Sequence, residues 1–157
     1  MSWKNVFFVL HGPESARVIS EFTRIVISGY DMDNFVLTRV QGGATNGIEQ
    51  ASKECYKAQK NFIVLRDLDD LKELIQFDAL YLFPPPAYAS IELDIPVIAQ
   101  DIADGKKIAF VFGGGKVSGL TRKEFGAGET VKVLAKDIGP LGTVAVLINE
   151  LSKIVPI

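Results

Sequence analysis

Six short apolar runs recur along the chain, and they leave little freedom in what it can fold into. They are Val6-Phe7-Phe8-Val9-Leu10, Phe35-Val36-Leu37, Phe62-Ile63-Val64-Leu65, Ala79-Leu80-Tyr81-Leu82-Phe83, Ile108-Ala109-Phe110-Val111-Phe112 and Thr130-Val131-Lys132-Val133-Leu134. Runs this short, with little polar alternation, read as strands covered on both faces. Most are separated by stretches with helical spacing. Val18, Ile19, Phe22, Ile25 and Val26 predict a helix over 14–28, entered through Pro13 at its first position. Its other face carries Glu14, Arg17, Glu21 and Arg24. Ile48, Ala51, Cys55 and Ala58 stripe a second helix, and a short one is expected over 69–76. Pro96 interrupts the pattern over 87–104, while Leu141, Val144, Ala145, Ile148 and Leu151 mark a closing helix. Strands alternating with helices predict one α/β domain over 1–157, with a mostly parallel sheet and helices on both faces.

Composition narrows the function classes. Apolar residues make up 48% and charged residues 23%, as in ordinary globular domains. No apolar run is long enough to span a membrane, and Met1-Ser-Trp-Lys-Asn5 lacks a signal-peptide layout, so a cytoplasmic protein is expected. A lone cysteine, Cys55, excludes an internal disulfide and a cysteine-rich zinc site, and its place on an apolar stripe reads as a buried structural thiol. His11 is the only histidine, which leaves no histidine metal cluster. The net charge of −2 is unlike the basic excess of dedicated nucleic-acid binders. Lys53, Lys57, Lys60 and Arg66 read as a solvated face, and Lys116, Arg122 and Lys123 form a second basic group.

The 108–112 run ends in Gly113-Gly114-Gly115, followed by Gly119-Leu120-Thr121. Glycines here suit positive φ or close approach to a ligand, and the carboxyl edge of a parallel sheet is where α/β proteins bind small molecules. Thr121 and Glu124 have the spacing of a capping box at the start of a short helix. A phosphate loop of the Gly-x-x-x-x-Gly-Lys-Ser/Thr type is excluded, because its first glycine falls on Phe110 and its last position on Val117. A dinucleotide fingerprint is missed by one residue between Gly115 and Gly119.

Laid out this way, the last third resembles the SPOUT (SpoU/TrmH-like) superfamily of methyltransferases. Val111-Phe-Gly-Gly-Gly-Lys-Val-Ser-Gly-Leu-Thr-Arg-Lys-Glu124 is similar to the family's second motif, a Phe-Gly-x-Glu-x-x-Gly-Leu-(Ser/Thr)-x-x-Glu stretch. Val131-Lys-Val-Leu134 and Ile138-Gly-Pro-Leu-Gly-Thr-Val-Ala-Val-Leu-Ile148 are similar to the third. Arg24, Gly29 and Phe35-Val36-Leu37-Thr38 fit the later part of the first. The resemblance implies a deep trefoil knot over about 79–157, S-adenosyl-L-methionine bound in the knot loops, and an RNA substrate, tRNA or rRNA. It also implies a homodimer through the first and last helices. Carried over, the pocket residues are Leu82, Phe83 and Pro84, then Gly113, Gly114, Gly115, Gly119 and Leu120, then Leu134, Ile138, Gly139, Pro140, Leu141 and Thr143.

The sequence departs from the family where chemistry is concerned. The second motif's first acidic residue is replaced by Gly115 or Lys116, and Pro140-Leu141-Gly142 stands where ribose methylators have Ser-Leu-Asn. Arg24 is the catalytic candidate the resemblance leaves. An arginine stays protonated, so its role is to bind a phosphate or orient the target; the plainer reading is a surface ion pair with Glu21 or Glu14. His11, Glu124 and Asp137 are further polar candidates beside the presumed pocket. Competing expectations are a non-catalytic S-adenosylmethionine-binding scaffold, a protein methyltransferase, and an unknotted nucleotide binder.

Overall fold

A computed structural model describes residues 2–115 and 119–157. The apolar runs form strands β1 (Val6–His11), β2 (Asn34–Thr38), β3 (Asn61–Leu65), β4 (Ala79–Phe83), β6 (Ile108–Gly113) and β7 (Glu129–Lys132). A two-residue edge strand, β5 (Ile91–Glu92), had no signal in the sequence. Among the described residues these make one sheet in the order β3-β2-β1-β6-β4-β7-β5. Every pairing is parallel.

Each strand sends alternate residues to opposite faces. One face carries the larger side chains: Phe8, Leu10, Phe35, Tyr81, Phe83, Phe110 and Phe112. The other carries Val9, Val36, Leu80, Leu82, Ala109 and Val111. Helices α1 (Ala16–Thr23), α2 (Ile48–Lys57), α4 (Ile95–Ala103) and α5 (Gly139–Ser152) cover the aromatic face. Helix α3 (Leu68–Leu74) packs on the aliphatic face through Leu68 and Leu71, joined there by Leu120. Helices thus lie on both faces, as expected, but unevenly. The handedness of parallel crossovers explains the split. Connections stepping from β1 towards β3, or from β5 back to β6, pass over the aromatic face. Those stepping the other way, β3 to β4 and β6 to β7, pass over the aliphatic face.

Two expectations are corrected. The first helix starts at Ala16, with Ser15 as its N-cap, and Pro13 lies in the buried turn before it. Regular α geometry ends at Thr23 and continues as a wider π turn over Arg24–Gly29. The Thr23 hydroxyl donates to the Ile19 carbonyl at 2.7 Å, and such back-bonding disturbs the helical ladder. Thr121 and Glu124 do not cap an α-helix: the Thr121 hydroxyl donates to the Glu124 carboxylate at 2.7 Å, and only a short 3-10 turn, Phe125–Ala127, follows. Cys55 is buried as expected, and burial pushes its thiol up to about 11. No helix among the described residues is long and apolar enough to cross a membrane.

Candidate functional site

Because the sheet is parallel, the strand ends His11, Thr38, Phe83, Gly113 and Lys132 lie along one edge. The order reverses between β1 and β6, and a crevice at such a reversal is the usual ligand site of an open α/β sheet. A cavity of about 590 Å³ opens at this edge. Its floor is aromatic, from Phe83 and Phe112, whose rings stack 4.7 Å apart at 5°. Gly113, Gly114 and Gly115 form one wall with Leu120; Leu134, Gly139, Pro140 and Thr143 form the opposite one. Pro84 continues the floor beyond β4.

Ten of the fourteen implied pocket residues therefore line one cavity. Leu82 points to the other face, into the core with Val111 and Leu120, because it is one residue out of phase with Phe83. Gly119 lies behind the wall, where a Cβ would strike the Gly115 carbonyl oxygen. Ile138 is half-exposed and Leu141 packs against the main core. Lys132, Lys136 and Asp137 add charge to the rim. Asp137 also accepts the Gly139 amide at 2.9 Å, and Gly139 has φ +78°, a conformation that favours glycine where α5 begins.

Beside the cavity lies a buried polar network. His11 is fully buried and Glu124 is 6% exposed. His11 Nε2 stands 3.2 Å from Glu124 Oε1, and His11 Nδ1 is 2.7 Å from the Thr38 hydroxyl. Arg39 donates to the same Glu124 oxygen at 3.2 Å and to Asp67 Oδ2 at 2.8 Å. Asp67 also forms the N-cap box of α3. Arg39 has φ +50°, unusual for a side chain with a Cβ, and held here by its two carboxylate partners and by amide bonds to Leu65 and Arg66.

Burial lowers the His11 pKa, Arg39 lowers it further, and Glu124 and Asp67 only partly offset them. A neutral ring fits the contacts: Nε2–H donates to the carboxylate, while Nδ1 accepts from Thr38. For Asp67, burial raises the pKa, but the Arg39 ion pair and the Leu68 amide outweigh it and leave the carboxyl below its ordinary range. A pH dependence follows. The unfolded chain takes up a proton at His11 near 6.5 and the folded protein does not. Stability is therefore intact above that pH and is lost as pH falls from there towards the depressed folded value. Urea unfolding of wild type and His11→Gln at about pH 7 and about pH 5 measures this. The variant, which keeps a donor for Glu124, is expected to lose less stability on acidification; equal losses would contradict the assignment. The Asp67 contribution disappears only at lower pH.

Thr38, Arg39 and Asp67 carried no sequence signal as a group, because the first two follow the apolar run of β2 and the third follows β3. Position within two residues of the end of an apolar run is a feature Arg39 and Asp67 share with Gly113 and Gly114. Arg24 is exposed and does not line the cavity. Glu21, one of the ion-pair partners expected for it, bonds Arg17 at 2.9 Å. In the first basic group, Lys53 pairs with Glu49 and Arg66 with Asp70, as a solvated face would, whereas Lys60 is mostly buried between Asp31 and Asp33. Arg122 sits 5.6 Å over the Tyr88 ring, and Lys116 lies outside the described residues. Among the described residues no group of three or more His, Cys, Asp or Glu side chains is placed to hold a metal ion.

Comparison with known proteins gives two kinds of likeness. A family model described as "RecB-family nuclease (DUF2122)" matches residues 42–150. A curated relative from Methanocaldococcus jannaschii, described as "Putative type II restriction enzyme MjaORF1200P", is 27% identical over 151 residues, spanning 96% of this chain and 98% of its own. Solved structures point elsewhere. A "probable methylase family protein" from Haemophilus influenzae superimposes with a TM-score of 0.71 at 16% identity, over 96% of this chain and 66% of that one. A "Probable Methyltransferase" from Bordetella pertussis gives 0.69 at 15%, over 97% and 95%. The SpoU methyltransferase AviRb from Streptomyces viridochromogenes, in complex with AdoMet, gives 0.62 at 8%, over 94% and 56%. At these identities the likeness is one of fold: the parallel α/β architecture is like that of these SPOUT-type methyltransferases.

Proposed function

The chain belongs to the family described as RecB-family nuclease (DUF2122), and we propose that within that family it works as an S-adenosylmethionine-dependent methyltransferase, with RNA as substrate. One observation carries the reading: the glycine wall, aromatic floor and α5 turn close a single cavity at the carboxyl ends of β4, β6 and β7, on a fold like that of methyltransferases. The cavity fits the cofactor. The glycine at 114 lets the wall pack directly on Pro13, which any Cβ would prevent. Phe83 and Leu134 offer apolar cover for the adenine ring. Asp137 and Lys136 suit the amino and carboxylate groups of the methionine part.

S-adenosylmethionine, when bound, supplies a methyl group on a positively charged sulfur. The protein's part is to hold an acceptor in line with it and to exclude water. Arg24 is retained as the residue that binds a phosphate or orients the target. Lys132 and Lys136 put positive charge at the cavity rim despite the net charge of −2. We include in the reading a single domain over 1–157, a trefoil knot in its C-terminal half, and a homodimer through α1 and α5.

Titration calorimetry with S-adenosylmethionine and S-adenosylhomocysteine, with NAD and ATP as controls, tests the cofactor; transfer of labelled methyl to total RNA and to protein tests the substrate. Micromolar binding of the sulfur pair alone is expected, with label entering RNA. Binding without turnover on either pool would leave a scaffold protein, and label in protein would move the substrate class. The family description favours a second reading, a nuclease. Cleavage of plasmid DNA with Mg²⁺, with no binding of the sulfur pair, would establish that reading and remove ours.

A further inference from the structure

His11 holds both ends of the glycine-rich wall. Its carbonyl oxygen accepts the Gly114 amide at 2.8 Å, and β1 pairs with β6 in a register that sets His11 beside Gly113. Its ring reaches the far end of the same segment through Glu124. The two ends also touch each other: a Cβ on Gly113 would lie 2.9 Å from the Leu120 amide nitrogen.

Glu124 has both carboxylate oxygens engaged from three directions. Oε1 accepts from His11 on β1 and from Arg39 beyond β2; Oε2 accepts from Thr121, the residue next to Leu120. Arg39 is in turn tied to Asp67 at the start of α3. A buried acid so fully bonded and almost closed to solvent is not arranged to exchange protons with a substrate. It is arranged to fix a distance, here between the end of β1 and the chain that returns from the cavity wall. Unpaired, a carboxylate this deeply buried would be costly, so the three contacts are expected to form or fail together.

We propose that Glu124 is a positioning residue, acting with His11 as a buckle that sets the separation of Gly113–Gly115 from Leu120 and so the shape of the ligand cavity. The proposal rests on the methyl-donor reading for the identity of the ligand, but not for the existence of the buckle.

The test compares wild type, Glu124→Ala, Glu124→Gln and Trp3→Phe. Glutamine keeps an acceptor for His11 and Arg39. Trp3 precedes β1 at the opposite edge of the sheet, where its indole donates to the Val155 carbonyl at 3.1 Å, so its variant loses stability without touching the buckle. Two quantities are read: affinity for S-adenosylhomocysteine by calorimetry, and hydrogen exchange of the Gly114 amide. Glu124→Ala is expected to weaken binding by about tenfold or more and to speed Gly114 exchange. Glu124→Gln should restore most of both, and Trp3→Phe should change neither. Unchanged affinity in Glu124→Ala, or an equal loss in Trp3→Phe, overturns the proposal. If wild type binds no S-adenosylhomocysteine, the methyl-donor reading fails, and Gly114 exchange alone decides the buckle: faster exchange in Glu124→Ala supports it, and unchanged exchange overturns it.

Discussion

Phe112→Ala is expected to lower the stability of the folded protein by about 3–5 kcal/mol, the range for removing a fully buried aromatic ring. Phe112 has no solvent exposure. Its ring stacks on Phe83 at 4.7 Å and meets Phe22 of α1 at 5.6 Å, so it joins β6, β4 and the first helix. It also forms part of the cavity floor, and the space it vacates would open into the cavity. The loss is a large fraction of the 5–15 kcal/mol or so that domains usually have. Urea unfolding measures the effect. Phe62→Ala, on the outer strand β3 and only partly buried, is the comparison. A difference between the two variants below about 1 kcal/mol would contradict the central role given to Phe112.

Gly114→Ala is expected to act mainly on the cavity. A Cβ there would lie 2.7 Å from the Pro13 Cα, and the obstruction is backbone that cannot rotate away. Gly114 is pinned by its amide to His11 and by its carbonyl to the Glu14 amide at 3.4 Å, so the strain cannot be spread along the wall. Overpacking of this kind costs about 1–3 kcal/mol. Relief comes by moving the wall into the cavity, and S-adenosylhomocysteine binding should weaken by about tenfold or more, equivalent to about 1.4 kcal/mol. Calorimetry on the folded variant measures it, and wild-type affinity would remove this wall from the binding site. Gly126→Ala, where a Cβ would have open space around it, should leave both quantities unchanged.

The parts of this fold legible in the sequence were those whose cause is local. β1, β2, β4 and β6 are buried on both faces and so largely apolar, which made them stand out, and the glycine wall followed at once from the run that ends at Phe112. β3 and β7, expected to be covered likewise, lie near the sheet's edges and are partly exposed. The closing helix declared itself by its stripe. What stayed hidden depended on distant partners. Nothing near Arg39 announces that it reaches both Asp67 and Glu124, since those three lie on separate connections. The spacing of Thr121 and Glu124 was visible, but its meaning was not: the carboxylate turns towards His11 instead of capping a helix. Leu82 was named with Phe83 because motif matching ignores which face a residue takes, and adjacent strand residues face opposite ways. The first helix changes from α to π geometry within its stripe, beside the Thr23 hydroxyl that bonds the Ile19 carbonyl.

The strand order carries a consequence for how the protein is made. β1 is made well before β6, and β2, which follows it closely in the chain, can pair with it early. Its other neighbour is β6, so that Val6 must wait for Ile108. Until then a growing chain holding β1, β2 and β3 presents one side of β1 as a bare hydrogen-bonding edge, with Phe8 and Leu10 beside it still lacking Phe110 and Phe112. Open edges flanked by apolar side chains invite pairing with other chains. A strand that ends up inside the finished sheet is thus left open during translation, and chains halted before β6 should be the principal source of aggregates and the principal clients of chaperones.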